Sequence, residues 1–123
     1  MTEKLSDKTL TLELADDAGE VVVRWLGRST ARDPRTFVNP ILQKALELSL
    51  KQKKALVLDF RQLEYFNSST ITPVVRLLQQ VKAQNGRAVV RFRSELNWQR
   101  LSFSALHVLQ GDGQHIVLDG GAA

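Results

Sequence analysis

The segment 55–86, with the sequence ALVLDFRQLEYFNSSTITPVVRLLQQVKAQNG, joins an apolar run to an amphipathic run through a polar connection. The apolar run 55–58 is too short for a free-standing helix and shows no polar alternation, so it predicts a strand buried on both faces. The apolar residues that follow recur at helical spacing, and Asn85-Gly86 is a helix-stop signal. These apolar positions are Ile71, Val74, Val75, Leu78 and Val81.

The tetrapeptide 67–70 (NSST) lies where the predicted helix begins. Asn67, Ser68 and Ser69 are all favourable N-cap residues, and Pro73 fits the helix only if it lies in the first turn. A helix N-terminus presents free N–H groups and a partial positive charge. Simple capping explains two adjacent serines here, but capping by one leaves the other facing solvent.

The remaining elements follow from periodicity and turn residues. Residues 9–14 alternate with period two, and 21–26 follow at hairpin distance. Asn39-Pro40 indicates a cap with proline at the first helical position, so a helix is expected over about 40–52. Residues 87–93 predict a strand, Ser94 caps a third helix, and 115–118 form a last strand. Residues 1–123 are expected to form a single domain, with 1–7 and 120–123 as loose termini.

The predicted order β-β-α-β-α-β-α-β is that of an α/β protein. Helices between the later strands imply parallel crossovers, and the hairpin at the start makes the sheet mixed. In 87–93, Arg91 and Arg93 fall on the face opposite Ala88, Val90 and Phe92. We therefore expect the helices to cover mainly one face of the sheet.

Composition limits the classes of function. The chain has 123 residues, 43% hydrophobic and 24% charged, with no cysteine, which excludes disulfides and thiolate metal sites. The N-terminal residues do not resemble a secretory signal, and no apolar run is long enough to span a bilayer. A cytoplasmic protein without membrane insertion is expected. The net charge of +4 is spread along the chain, which favours an ordinary solvated surface.

The sequence offers little for catalysis. His107 and His115 are the only histidines, neither lies in a motif, and their spacing suits no metal or catalytic triad. We predict no enzyme activity, no cofactor and no metal site. Asp59, at the end of the buried strand, is expected to organise the loop that carries the serines rather than to bind an ion.

Three segments resemble one known family: 56–60 (LVLDF), 66–71 (FNSSTI) and 86–90 (GRAVV). Together they resemble the STAS domain family, in particular the anti-sigma factor antagonists (anti-anti-sigma factors) of bacteria. The order and spacing of the later elements extend the resemblance to roughly residues 8–119. In that family the first serine of the tetrapeptide is the phosphoacceptor. This maps to Ser68, with Ser69 and Thr70 as alternates.

The resemblance implies a partner-switching regulator of signal transduction and transcription. Its implied partners are an anti-sigma factor or related serine kinase, and a metal-dependent serine/threonine phosphatase that acts on the phosphorylated form. A phosphoserine would place negative charge in the surface that docks on the partner and so cause release. The predicted contact surface is a short set: Tyr65, Asn67, Ser69, Thr70, Arg76 and Gln80.

Two alternatives remain open. Asn67 and Thr70 stand where the family has aspartate and glycine, which favours a STAS scaffold that is never phosphorylated, or a small subunit packed on an ATPase such as that of a lipid-transport complex. The other alternative is a basic nucleic-acid-binding module that uses Arg24, Arg91 and Arg93 on a sheet face. Few aromatic residues are available there for base stacking, so nucleic acid is not an expected partner.

Overall fold

The computed structural model describes residues 2–111 and 113–121 of the chain. Within these residues the chain forms seven strands and four helices. The strands are β1 (Thr2–Asp7), β2 (Leu10–Asp16), β3 (Glu20–Ser29), β4 (Ala55–Asp59), β5 (Leu63–Phe66), β6 (Ala88–Arg91) and β7 (Ile116–Asp119). The helices are α1 (Arg35–Gln52), α2 (Ser68–Ala83), α3 (Asn97–Ser104) and α4 (His107–Gln110).

The strands form one mixed sheet in the order β1-β2-β3-β4-β6-β7, and β5 pairs with β3. β2 is antiparallel to its neighbours β1 and β3, whereas β3, β4, β6 and β7 are parallel. β5 pairs in parallel with the end of β3, from Gly27 to Ser29. The carboxyl ends of the parallel strands therefore lie at one edge of the sheet, together with the turn that leads into α2.

The helices pack on one face of the sheet, because strand residues of one parity share a core with the helices. Val23, Trp25, Leu58 and Val90 belong to that core, as do Leu42 of α1 and further residues of α2 and α3. The other face carries a much smaller cluster, Ala15, Val22 and Val57, to which no helix contributes. Strand β4 is thus buried on both faces, as its uninterrupted apolar sequence predicts.

The mixed α/β sheet with its helices on one face confirms the predicted fold class, but the element order is longer than predicted. β1 precedes the predicted hairpin, β5 lies between β4 and α2, and the last helical region is divided into α3 and α4. β5 is only four residues long, too short to show a recognisable alternation of apolar and polar residues. It is a strand because it pairs with the end of β3, and the sequence does not reveal that tertiary contact. α4 is a single turn that follows Ala105 and Leu106.

Two predicted helix starts and the predicted place of Pro73 were wrong, whereas α2 begins within the predicted cap segment, with Asn67 at the N-cap. α1 begins at Arg35, so Pro40 lies inside the helix rather than at its first position. In α2, Pro73 is also inside the helix, beyond the first turn. Ser94 is no cap, because α3 begins at Asn97 and Leu96 holds the N-cap position. Packing of buried residues such as Val38 and Val74 holds these proline-containing helices despite the lost hydrogen bonds.

The prediction of loose termini was wrong for the described residues. Residues of β1 pair in antiparallel register along the whole length of β2, from Asp7 with Leu10 to Thr2 with Ala15. At the other end, the carbonyl oxygen of Gly120 accepts a hydrogen bond of 3.0 Å from the amide of Ser94. The first pairing is a tight hairpin whose turn, residues 8–9, carries no glycine, asparagine or proline signal, and the second joins residues 26 positions apart. Residues 1, 122 and 123 lie outside the described residues.

Candidate functional site: the serine turn before helix α2

The predicted serine turn, residues 67–70, lies where β5 ends and α2 begins. Asn67 holds the N-cap position in an extended conformation, and its amide donates a hydrogen bond of 3.0 Å to the carbonyl oxygen of Ser29. This bond continues the pairing of β5 with β3 into the turn. The start of α2 is therefore fixed to the central sheet by backbone hydrogen bonding.

Buried side chains fix the turn further. Thr70 is fully buried, and its hydroxyl lies 2.7 Å from the hydroxyl of Ser29 and 2.9 Å from the amide oxygen of Asn67. The Asn67 side-chain nitrogen donates a hydrogen bond of 2.8 Å to the carbonyl oxygen of Ala31. Asn67 does not cap the helix amides with its side chain, contrary to the expectation. Its two polar atoms are engaged within the protein.

These contacts correct two predicted roles for Thr70. A hydroxyl that is buried and hydrogen-bonded on both sides is inaccessible to a kinase, so Thr70 is no phosphoacceptor in this conformation. For the same reason it cannot contact a docking partner. The departures from the family tetrapeptide, Asn67 and Thr70, form one hydrogen-bonded pair, so they serve the local structure of the turn.

Ser68 and Ser69 are both exposed, in contrast to Thr70. Asn67 makes no side-chain cap to the amides of α2, and the Thr70 amide donates a hydrogen bond of 3.0 Å to the carbonyl oxygen of Asn67. The turn thus combines a rigid, buried base with two accessible hydroxyl groups. Such an arrangement suits modification without unfolding.

Two arginines lie next to Ser69. Arg32 and Arg35 line a shallow cavity of about 410 Å³ together with Ser69 and Thr72. Arg35 pairs with Asp33 through a hydrogen bond of 2.9 Å, and both side chains are about half exposed. Arg32 has no hydrogen-bond or ion-pair partner within residues 2–111 and 113–121. Asp33 lines the same cavity and offsets Arg35, so Arg32 leaves one net positive charge near Ser69. The sequence did not predict this, because residues 32–35 and 69 meet only in the fold.

The other predicted contact residues are spread around the turn. Tyr65 is 42% exposed, and the Arg28 guanidinium lies 5.1 Å from the centre of its ring. Arg76 and Gln80 are exposed on α2 and line a groove between α1 and α2. Gln80 accepts a hydrogen bond of 2.7 Å from the side chain of Gln43 on α1. Tyr65 and Arg76 are therefore accessible, whereas Gln80 already has a partner in the neighbouring helix.

Sequence reasoning missed an apolar surface beside the turn. The Trp98 ring of α3 packs against Phe66, the second residue before Ser68, with 5.6 Å between ring centres. One turn further along α3, Leu101 is 71% exposed. An exposed leucine next to a half-buried tryptophan offers apolar contact area to a partner protein. The sequence-based prediction placed the contact surface only on the turn and on α2. No local pattern indicates this neighbourhood, because α3 meets β5 through tertiary packing.

Asp59 organises a loop, but the loop is the one directly after β4. Its carboxylate accepts hydrogen bonds of 2.9 and 2.7 Å from the Arg61 guanidinium and one of 3.1 Å from the Arg61 amide. Burial raises the pKa of Asp59, but these hydrogen bonds and the charges of Arg61 and Arg24 more than offset it, so the pKa lies below its ordinary value. Among the described residues, no hydrogen bond joins Asp59 to the serine turn.

The basic residues of the helix-free face are paired with carboxylates. Arg24 pairs with Glu13 at 3.3 Å, and Arg91 pairs with Glu20 at 3.4 Å. At the end of that strand, Arg93 pairs with Glu95 at 3.2 Å. This face of the sheet is thus electrically mixed rather than a basic surface, although the chain as a whole carries +4.

The described part of the chain shows neither a metal-binding cluster nor a membrane-spanning helix. Residues 2–111 and 113–121 contain no group of three or more histidine, cysteine or acidic side chains arranged to hold a metal ion. Over the same residues, none of the helices has the length and apolar character needed to cross a membrane.

The fold and the exposed serines at the start of α2 define a STAS-type domain like that of the anti-sigma factor antagonists. The model of the SiaC family regulatory phosphoproteins matches residues 7–99. The chain belongs to this SiaC family, which confirms the predicted class of a regulatory phosphoprotein.

Two solved structures share the fold. The crystal structure of an anti-sigma factor antagonist from Mycobacterium paratuberculosis is 18% identical, with a TM-score of 0.54 over 91% of this chain and 88% of that chain. A chain in the crystal structure of the diguanylate cyclase SiaD in complex with its activator SiaC, from Pseudomonas aeruginosa, is 14% identical. Its TM-score is 0.64, over 95% of this chain and 98% of that chain. No curated protein matches the sequence.

Proposed function

We propose that this chain is a non-catalytic regulator that switches partners according to the phosphorylation state of its serine turn. The unmodified turn docks on a partner protein, and a phosphoryl group on Ser68 releases that partner. The observation that carries this proposal is the contrast within residues 67–70: two exposed hydroxyls stand on a base of buried hydrogen bonds. Membership of a family of regulatory phosphoproteins supports it.

A phosphate at this position is compatible with the folded state. A phosphoserine carries roughly −1.5 to −2 charges at neutral pH, and the N-terminus of α2, where Ser68 is the first helical residue, favours negative charge. The fold therefore survives modification, and the effect falls on the partner. New charge in the contact surface must be desolvated on docking and repels acidic groups opposite.

The docking surface we propose has a polar and an apolar part. Tyr65, Ser69 and Arg76 supply exposed polar groups around the turn, as the sequence suggested. Trp98 and Leu101 of α3 add the apolar contact area on the other side of Phe66. Aromatic and leucine anchors surrounded by polar groups are typical of protein-protein contacts.

We further propose three classes of partner. A serine kinase of the anti-sigma-factor type modifies the turn, and a metal-dependent serine/threonine phosphatase resets it. The third class is the protein that the unmodified form controls. The similarity to a chain of the SiaD–SiaC complex favours a diguanylate cyclase in this role, and the similarity to an anti-sigma factor antagonist favours an anti-sigma factor. A cytoplasmic location in a bacterium fits all of them.

The first experiment is purification from the native host under phosphatase inhibition. Mass spectrometry of the peptide that contains residues 67–70 and identification of the co-purifying proteins are made on the same sample. Phosphate on Ser68, together with a kinase or cyclase among the co-purifying proteins, is the expected result. An unmodified turn with a stoichiometric ATPase partner contradicts the switch and supports the alternative of a constitutive scaffold.

Binding to the partner so identified then tests the switch directly. Ser68→Asp is expected to weaken binding at least about tenfold, since it adds an unpaired charge to the contact surface. Ser6→Asp is the matched control: Ser6 is also an exposed serine, but it lies on β1 at the edge of the sheet. Equal binding by wild type and Ser68→Asp contradicts the proposal.

A further inference from the structure

A cavity lies at the carboxyl ends of β4 and β6, apart from the serine turn. Its volume is about 570 Å³, within the range of roughly 300–1,000 Å³ that small-molecule sites occupy. None of its lining residues belongs to residues 65–80, so the proposed docking surface does not account for it. The lining residues are Arg24, Asp59, Arg61, Gln62, Phe92, Arg93, Ser94, Glu95 and Gly121.

Three guanidinium groups face this cavity from three adjacent parallel segments. Arg24 comes from β3, Arg61 from the loop after β4, and Arg93 from the loop after β6. Such convergence of like charges is unfavourable unless anions offset it. The carboxylates that do so here are Glu13, Asp59 and Glu95, one for each arginine.

Buried polar side chains fix the two loops that line this cavity, the loop after β4 and the loop after β6. Asp59, only 7% exposed, binds the Arg61 guanidinium with both carboxylate oxygens and so orients it towards the cavity edge. Gln99 is fully buried, and its side-chain oxygen accepts a hydrogen bond of 2.7 Å from the Arg93 amide. Its side-chain nitrogen donates to the carbonyl oxygen of Phe60 at 2.8 Å. Gln99 thus links the loops after β4 and β6 from within the core.

The arginines retain donors for a ligand. Arg61 uses one edge of its guanidinium for Asp59, and its remaining N–H groups are available to another acceptor. Arg93 contacts only one oxygen of Glu95, at 3.2 and 3.4 Å, and the two side chains are 47% and 64% exposed. Exposed pairs of this kind contribute little to stability, so a competing anion can replace Glu95 at small cost.

We infer that this cavity binds a small phosphate ester. Arg61 and Arg93 hold the phosphate oxygens through paired N–H groups, for which guanidinium geometry is well suited, and Arg24 adds a third positive charge. Ser94 and Phe92 also line the cavity. The concave shape favours a small anion over a nucleic-acid polymer.

The inference is tested by titrating the full-length protein with pyrophosphate and with ADP, the probes for the phosphate and for its ester. Heat of binding gives the dissociation constant, and backbone amide shifts locate the site. We expect saturable binding with shifts confined to residues 59–62, 92–95 and 119–121. Arg93→Gln and Arg61→Gln are each expected to raise the dissociation constant at least about tenfold, as loss of a charge-assisted contact requires.

Arg87→Gln provides the control, because Arg87 is exposed and precedes β6 at the end opposite to Arg93. It removes the same charge and is expected to leave binding within about twofold of wild type, as a long-range charge effect alone allows. Arg93→Gln disturbs only a weak ion pair, so it remains informative if Arg61→Gln unfolds. Equal weakening by Arg87→Gln and Arg93→Gln overturns the inference, as do shifts centred on the serine turn or no binding at all.

Discussion

The neighbourhood of Ser69 makes the two exposed serines electrostatically different. Ser69 shares a cavity with Arg32 and Arg35, whereas Ser68 does not line it. An adjacent guanidinium stabilises the doubly charged form of a phosphate and so lowers its second pKa, which is about 6 for a free phosphoserine. Phosphate on Ser69 should therefore ionise at lower pH than phosphate on Ser68.

Phosphorus NMR can measure this difference. Phosphoserine is incorporated at position 68 or 69, and the phosphorus shift is followed with pH. We expect the lower second pKa at position 69, and Arg32→Gln should raise it towards the value at position 68. Arg76→Gln, which removes an exposed arginine that does not line this cavity, serves as control. Equal pKa values at the two positions contradict the assignment of Arg32 and Arg35 to Ser69.

For single residues, the sequence predicts only those properties that depend on neighbouring positions in the chain. The exposed pair Ser68 and Ser69 follows from helix-start preferences and a short family motif. The burial of Thr70 does not, because its partner Ser29 is 41 positions away in sequence. The same limit applies to Trp98, whose contact with Phe66 depends on how α3 packs.

Prolines limit what the sequence predicts about the helices. Pro40 suggests a helix start, yet α1 begins at Arg35 and runs through it. The residues before Pro40 include the buried Val38, so packing against the sheet stabilises a first turn that propensity alone disfavours. A proline in the helix cannot donate a hydrogen bond to the carbonyl oxygen four residues earlier, here that of Thr36.

Replacing Pro40 with alanine should therefore stabilise the protein. Pro40 is exposed, so the substitution leaves the core unchanged and supplies the missing N–H group. We expect the free energy of unfolding to rise by about 2–2.5 kcal/mol, the penalty for proline inside a helix less the entropy that proline removes from the unfolded chain. Urea unfolding followed by circular dichroism measures it.

Lys44→Ala is the control. Lys44 lies further along the same exposed side of α1, and its replacement measures the effect of an ordinary change in helix propensity on stability. Because Lys44 forms an exposed ion pair with Glu3, its replacement should change stability by less than about 1 kcal/mol. No gain in stability from Pro40→Ala would mean that the helix has already adapted around the proline, and that the carbonyl of Thr36 is satisfied in another way.

Across the whole molecule, charges of alternating sign form a row on the helix-free face. The registers of the strands align five residues side by side in one continuous series. In sheet order these are Glu13, Arg24, Asp59, Arg91 and Asp119. The sequence shows which positions of a single strand are polar. It does not show that these charges lie side by side, because strand order and register are properties of the assembled sheet.

This row explains why a basic chain does not present a basic sheet face. Opposite charges on neighbouring strands attract, and like charges directly opposite destabilise a sheet. Arg91 lies between Asp59 and Asp119 in register and also pairs with Glu20 at 3.4 Å. Arg91 thus stands between two acidic positions, and its guanidinium contacts Glu20, with which a nucleic-acid phosphate would have to compete.

Reversing the charge at position 91 should therefore cost stability. Arg91→Glu places a carboxylate between Asp59 and Asp119 and removes the ion pair with Glu20. We expect the free energy of unfolding to fall by about 1–2 kcal/mol, from lost attraction and new repulsion between partly exposed groups. The loss should shrink in about 1 M salt, where the Debye length is only about 3 Å. Arg87→Glu, the same charge change at the other end of β6, should have a much smaller effect. If Glu20→Arg restores stability in the Arg91→Glu background, the ion pair is the cause. If neither salt nor this exchange reduces the loss, Arg91 acts instead by packing its aliphatic stem over Val22 and Val57.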